Sequence, residues 1–341
     1  MIQLVKQAVI PWGPCPSDEA GILKRIEAAG RTAYKSEDKI TDDSAKGFVQ
    51  RMLSSGHMSV LEHSNIVFEV FAWKNGIHPD YRDLRAVLSE RNIYHPIAMD
   101  SVCPPYFIGG NMRAWIETIQ YLWDTNEYPY SDNSSRRWAL LFAYHLSRFF
   151  PNILPLKSLC PRLWLDTGDA LIDWAACVGV SSDWLRSTEK AVRLADTNIQ
   201  FLPGLKHSIP VFSFKIIADR GILQEIARHR SLSLTVESTR YVGYHNRGFT
   251  FIEPEYLWNG WLDELFGDTC REYERLVESG FKPQIARDVL PNLLKTEIVV
   301  SGRWSGWEHF IELRDSPAAH PRIQKIAKEI RAYFAGIGLE V

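Results

Sequence analysis

The sequence predicts an α+β protein, and three observations carry that reading. Some segments repeat apolar residues at helical spacing, while others are short β-branched or alternating runs. The two kinds do not follow one another as regular βαβ units, and no glycine-rich phosphate loop of the GxGxxG or GxxxxGKS type is present. At 341 residues, 45% hydrophobic and 23% charged, the chain is long and apolar enough to bury a sizeable core, at a length that suits about two domains.

Taken in order, Asp18 to Tyr34 places Ile22, Leu23, Ile26 and Ala29 on one helical face, with Ser17 as the expected N-cap. A second helix is expected from Ser44 to Ser54 and ends at Ser55-Gly56, a stop signal. Ile66 to Phe71 reads as a strand. Between about Trp73 and Leu205 the character changes. Six of the twelve tryptophans fall between Trp115 and Trp184, and prolines punctuate the run, so it reads as a mostly helical insertion with helices at Met112–Trp123, Arg136–Phe150 and Trp184–Asp196. Ile209 to Ile217 is expected to be a strand, with Asp219 opening a helix to about His229. Asp263–Ser279 and Pro283–Val289 read as helices, Lys295–Ser301 as a strand, and Trp304–Leu313 and Arg322–Phe334 as closing helices.

Composition excludes several classes. There is no stretch of about 18 uncharged apolar residues, and Met1 to Ile10, with Lys6 inside it, lacks a secretory h-region, so a cytoplasmic protein with no membrane span is expected. Cys15, Cys103, Cys160, Cys177 and Cys270 are odd in number and form no CxxC pair, which argues for reduced, mostly buried thiols. A net charge of -2 gives no overall attraction for nucleic acid, so none is expected as a partner, and an anionic ligand must be held by a local arginine cluster. His57 and His63 flank Glu62 without HExxH spacing, so no metal is expected.

The arginines cluster at Arg228-His229-Arg230, followed after seven residues by Ser238, Thr239 and Arg240. Guanidinium forks grip phosphate oxygens bidentately, so three of them among the hydroxyls of Ser231, Ser233 and Ser238 suit a phosphate and carbonyl ligand. On charge alone, a solvated basic helix end would look the same, because the helix dipole favours cations there.

Arg-His-Arg, seven residues, Ser, continued as Glu237-Ser238-Thr239-Arg240-Tyr241, resembles the signature of the flavin-dependent thymidylate synthases. Further segments resemble the same family in the same order: Gly56-His57, Ser59 and Leu61-Glu62-His63; Asp219-Arg220-Gly221 with Glu225; and Ala286-Arg287, Leu290-Pro291, Thr296-Glu297 and His309-Phe310 through Leu313-Arg314. The resemblance implies a mainly antiparallel sheet with mixed helices. It also implies reductive methylation of dUMP to dTMP, with FAD as cofactor, NADPH as reductant and methylenetetrahydrofolate as one-carbon donor. The catalytic set it implies is Arg228, Ser238, Arg240, Arg314 and His57. Ser59, Glu62, Arg228, His229, Arg230 and His309 would contact the flavin. Glu225, Arg228, Glu237, Ser238, Thr239, Arg240, Arg287 and Arg314 would bind the nucleotide. A homotetramer is implied, with a catalytic domain formed by residues 1–72 and 206–341 around an insertion at 73–205. No cysteine precedes a histidine, which favours the flavin route over one that adds a cysteine to the pyrimidine ring.

Three departures from the family pattern stand out. Val236 replaces a glutamine or glutamate that touches the nucleotide, and Gly302-Arg303-Trp304-Ser305 replaces a Gly-Asn-x-Arg whose polar residues meet the flavin. The missing pattern stands instead inside the 73–205 insertion, at Gly110-Asn111-Met112-Arg113, where Asn111 and Arg113 are candidates to replace the lost contacts. A relative that kept the fold and binds nucleotide or flavin without turnover is the alternative these departures motivate.

Overall fold

The computed structural model describes residues 2–70, 98–100, 106–124, 134–154, 159, 188, 192–194, 210–240, 242–253 and 261–339. The chain divides into two compact units, a C-terminal unit of Met1–Gly13, Glu27–Thr41 and Phe212–Val341, and an N-terminal unit of Pro14–Ile26 and Asp42–Val211. The described residues of the segment expected as an insertion fall in the same unit as Pro14–Ile26 and residues 42–70.

Helix α1 (Glu19–Tyr34) forms as the apolar spacing predicts, with Ile22, Ile26 and Ala29 buried. Its N-cap is corrected from Ser17 to Asp18, whose Oδ1 accepts from the Gly21 amide at 2.8 Å. The carboxylate suits the positive end of the helix and stands one residue closer to it.

In the N-terminal unit, α2 (Ser44–Ser54) ends as expected, with Gly56 at φ 73°, a left-handed conformation that a Cβ would strain. A 3₁₀ turn (Met58–His63) leads into β3 (Ile66–Val70), and the expected sixth strand residue, Phe71, lies outside the described residues. The sheet is β4-β5-β3-β6, where β4 is Ala98–Asp100, β5 is Tyr106–Gly110 and β6 is Val192–Leu194. Its pairs are all antiparallel, with Phe68 opposite Ile108 and Leu194. Helices α3 (Met112–Asp124) and α4 (Ser134–Phe149) confirm two expected helices of the segment. The third, Trp184–Asp196, is corrected at Val192–Leu194, a strand paired with β3, because backbone pairing to a buried neighbour overrides local helical spacing. The rest of that helix lies outside the described residues. Phe68, Trp115 and Phe142 centre this unit's core.

In the C-terminal unit, the four-stranded sheet is ordered β2-β7-β10-β8: β2 (Ala8–Pro14), β7 (Val211–Asp219), β10 (Lys295–Arg303) and β8 (Ser233–Val236). The β10–β8 pair is antiparallel. Helices α5 (Arg220–Ile226), α9 (Trp304–Arg314) and α10 (Pro321–Gly336) bring Ile222, Trp307, Phe310, Ile326 and Phe334 onto Phe212, Phe214, Ile298 and Val300. A second core gathers around a parallel pair, β1 (Ile2–Val5) with β9 (Phe249–Ile252), under α7 (Trp261–Glu278), where Phe251 stacks on Phe266 at 4.2 Å. Short helices α6 (Tyr244–Arg247) and α8 (Pro283–Ala286), and a 3₁₀ turn at Arg287–Val289, complete it.

Strands β1, β2, β4, β5, β8 and β9 have no counterpart in the sequence expectations, β4 and β5 standing in the segment expected to be mostly helical, and Ile209 of the expected β7 start lies outside the described residues. Helix α5 is shorter than expected: it stops at Ile226, before the arginines, so they occupy a turn beyond the helix end. Cys15 and Cys270 are buried thiols outside any disulfide, as expected; Cys103, Cys160 and Cys177 lie outside the described residues.

Candidate functional site

The arginine signature begins where α5 ends. Asp219 caps this helix, its Oδ1 accepting from the Ile222 amide at 3.0 Å while its other oxygen pairs with Arg322 at 2.9 Å. Beyond Ile226 the backbone closes in tight turns, His229 N to Ile226 O at 3.0 Å and Leu232 N to His229 O at 3.0 Å. The result alternates: Arg228 and Arg230 are exposed while His229 between them is buried. Among the described residues neither arginine has an ion-pair partner.

His229 anchors the turn. Its Nε2 accepts from Arg314 Nε at 2.9 Å, so the ring proton sits on Nδ1, and Phe310 packs against the ring at 4.8 Å. Burial, then the Arg314 charge, then His309 with its ring centroid 5.9 Å away, push His229 down to about 4. Arg314, in the last turn of α9, also donates to Glu225 twice, at 2.8 Å to the carboxylate and 3.0 Å to the backbone carbonyl. Glu225, His229, His309 and Arg314 therefore meet, and three of the five guanidinium N–H groups of Arg314 face inward.

The second half of the signature follows β8. Thr235 is buried on one face of the strand, whereas Leu234 and Val236 pack against the apolar cluster of the sheet on the other, so Val236 offers the site no polar group. Glu237 is buried, its carboxylate taking Lys295 at 3.0 Å and the Glu297 amide at 3.2 Å. The Ser238 amide donates to Ala33 O at 2.9 Å, and its hydroxyl accepts from the Arg240 amide at 3.3 Å. Arg287 reaches the Thr239 hydroxyl at 2.9 Å. Arg240 is exposed, and Tyr241 lies outside the described residues.

One cluster went unforeseen. Glu297 is gripped by Lys35 at 2.6 Å, Lys215 at 2.5 Å and Lys295 at 2.5 Å, with Glu37 at 3.4 Å from Lys35 and Lys215. Burial would raise the Glu297 carboxyl, but the three ammoniums overcome it and hold it at about 2. Lys35 stands at φ 49°, a left-handed conformation unusual for a side-chain-bearing residue. Lys35 and Lys215 reach Glu297 from distant segments, so spacing gives no signal for the whole cluster; a lysine where a helix C-cap glycine would be comfortable is the one local hint.

The remaining expected residues belong to the N-terminal unit. The 3₁₀ period of three turns Ser59 and Glu62 outward and Val60 and His63 inward, with His57 exposed just before it. Burial, then the Arg25 charge, push His63 down to about 3, so it is a neutral core residue. Glu62 accepts from Arg113 at 2.8 Å, and Arg113 also reaches Glu117 at 2.8 Å. Asn111 Oδ1 caps α3 through the Ala114 amide at 2.8 Å, and Met112 N donates to the Ser64 hydroxyl at 2.8 Å. The Gly-Asn-x-Arg segment is thereby fixed beside the His57–His63 motif.

The family model for the thymidylate synthase complementing protein matches residues 18–78 and 173–337. Flavin-dependent thymidylate synthases of Thermococcus onnurineus and Pyrococcus furiosus are each 28% identical over 174 residues, 46% of this chain and 69% and 70% of theirs. A crystal structure of thymidylate synthase X from Helicobacter pylori with FAD and dUMP is 25% identical, with a TM-score of 0.31, over 36% of this chain and 66% of that one. A UMP/dUMP methylase from Streptomyces cacaoi gives 22% and 0.32, over 38% and 69%.

Proposed function

The chain belongs to the thymidylate synthase complementing protein family, and from that premise we propose that it is a flavin-dependent thymidylate synthase that methylates dUMP to dTMP. The observation that carries the reading is the turn at Arg228–Arg230, where a buried, neutral His229 locked by Arg314 presents two exposed guanidiniums. Such a donor set fits the phosphates of a nucleotide and of FAD, which planar forks bind bidentately. FAD would supply the hydride that completes the methyl group, with NADPH as its reductant and methylenetetrahydrofolate as the one-carbon donor.

The chain's own residues have the following roles. Arg228 and Arg230, with His229, would hold the flavin, and Ser59, Glu62, His57 and His309 would border it. Arg228, Arg240, Ser238 and Arg287 would bind dUMP, neutralising its phosphate and polarising the uracil carbonyl without acid–base work by a dyad. Arg314 would contribute by fixing His229 and by the N–H groups not engaged by Glu225. Glu225 and Glu237 act as positioning residues, since their carboxylates already hold Arg314 and Lys295. Among the described residues no helix is long and apolar enough to cross a membrane. A cytoplasmic homotetramer is part of the proposal.

The test is spectroscopic and then chemical. Purified protein should show two flavin absorption bands, bleach anaerobically with NADPH faster when dUMP is present, and form dTMP when methylenetetrahydrofolate is added. Val236, packed into the apolar cluster, favours a second reading in which ligands bind without turnover. Flavin and dUMP binding with no dTMP formed would select it.

A further inference from the structure

Each unit, taken by itself, is built on the same plan. In the N-terminal unit β5 and β3 are the central strands of β4-β5-β3-β6; in the C-terminal unit β7 and β10 are the central strands of β2-β7-β10-β8. Strand β5 passes through Gly110 into α3 and then α4, and β10 passes through Gly302 into α9 and then α10.

The side chains repeat as well. The buried Trp115 indole donates to Ile66 O at 2.9 Å, and the buried Trp307 indole donates to Phe212 O at 3.2 Å. Phe68 meets Trp115 edge-on at 4.7 Å, and Phe214 meets Trp307 edge-on at 4.8 Å. Phe68 lies 5.3 Å from Phe142, and Phe214 lies 5.6 Å from Phe334. Gly110, Trp115 and Phe142 match Gly302, Trp307 and Phe334 at one constant offset in the sequence; Ile66, Val67 and Phe68 match Phe212, Ser213 and Phe214 at another. Val67 pairs with Gly109 across the ladder, and at the matching places the hydroxyls of Ser213 and Ser301 are 2.7 Å apart. The outer strands agree too, since Ala98 stands opposite Gly109 and Ser233 opposite Ser301.

We infer that the chain is two copies of one folding unit in tandem, and that the ligand-contacting residues have been divided between them so that each chain carries one set. The inference rests on the flavin and dUMP reading above. Back from Ser233 along the sequence stands Arg228-His229-Arg230; equally far back from Ala98 stands Ile93-Tyr94-His95. Forward from Ser233 stand Ser238 and Arg240; equally far forward from Ala98 stand Cys103 and Pro105. The first copy has no guanidinium at any of these places, and a dianionic phosphate needs cationic partners. The opposite holds after the shared glycine, where the first copy has Asn111 and Arg113 and the second has Arg303 and Ser305. On this reading β4, β5, α3 and α4 are not an insertion into one domain; they belong to the first copy. Arg113, held by Glu62, is the flavin-contacting arginine that Ser305 cannot be.

The experiment is titration of the full chain with FAD and with dUMP, by equilibrium dialysis or calorimetry. One equivalent of each per chain is expected. In Arg113→Ala, flavin affinity should fall about tenfold or more, as loss of a charge-assisted hydrogen bond requires. Arg113→Lys should restore part of it, and Ser305→Ala, at the matching place in the second copy, should leave it unchanged. Two equivalents of dUMP per chain, or unaltered flavin affinity in Arg113→Ala, would overturn the inference. If Arg113→Ala fails to fold, the stoichiometry of the unaltered chain and the lysine variant decide. A chain that binds one of each yet forms no dTMP keeps the inference and removes the thymidylate synthase reading; one that binds two of each and forms dTMP does the reverse.

Discussion

Replacing Arg314 by methionine keeps most of the apolar stem and removes the guanidinium that ties α9 to the signature turn. Three hydrogen bonds go with it, at 2.9 Å to His229, 2.8 Å to the Glu225 carboxylate and 3.0 Å to the Glu225 carbonyl. The side chains of the ion pair are 17% and 28% exposed, between the surface limit of about 0–1 kcal/mol and the buried limit of about 3–5 kcal/mol. A loss of about 2–3 kcal/mol is expected. The Arg314 charge is also the second cause holding His229 at about 4, after burial, so without it the imidazole should titrate higher yet stay below its ordinary 6.5. The sign is fixed by linkage. A histidine whose folded value is depressed contributes stability that is fully present above the unfolded value and is lost as pH falls from 6.5 toward 4. In the variant that window narrows from below, and the dependence of stability on pH across it flattens. Denaturant titrations over this range, with NMR titration of the His229 ring, measure both effects. An unchanged His229 titration would refute the coupling between Arg314 and the signature turn.

Other outcomes follow from the same geometry. Glu297→Gln should cost about 3–5 kcal/mol, because three lysines lose their common carboxylate; chemical denaturation at neutral pH measures it. In the unaltered protein the depressed Glu297 carboxyl contributes stability present above 4.5 and lost as pH falls toward 2, so the variant should show a shallower acid limb there. Arg228→Ala and Arg240→Ala should weaken dUMP binding by about 1.5–3 kcal/mol in a binding titration while changing stability by no more than about 0.5 kcal/mol, since both side chains are exposed. Gly302→Ala should destabilise by about 1–3 kcal/mol in a thermal melt, because its Cβ would collide with the Leu232 side chain that seats the signature turn.

Much of the local structure was legible in the sequence. The face formed by Ile22, Ile26 and Ala29, the stop at Gly56 and the cap at Asp219 are short-range effects of apolar spacing, backbone freedom and side-chain hydrogen bonding. The signature Arg228-His229-Arg230 was legible for the same reason, as neighbours in the chain. Edge strands such as β2, β6 and β8 were not, because a strand of three to seven residues owes its form to the partner that satisfies its backbone, and that partner is far away in sequence.

The roles within the signature were decided by tertiary structure alone. The sequence shows three adjacent basic residues; only the packing of α9 makes the middle one a buried neutral anchor and leaves its neighbours exposed. Likewise the sequence shows Glu297 beside a threonine, and only the convergence of Lys35, Lys215 and Lys295 makes it the centre of a buried charge cluster. Charge and hydroxyl identity are written residue by residue. Which of them is desolvated, paired or left for a ligand depends on segments that meet only when the chain folds, because Coulomb and desolvation energies depend on distance in space and not along the chain.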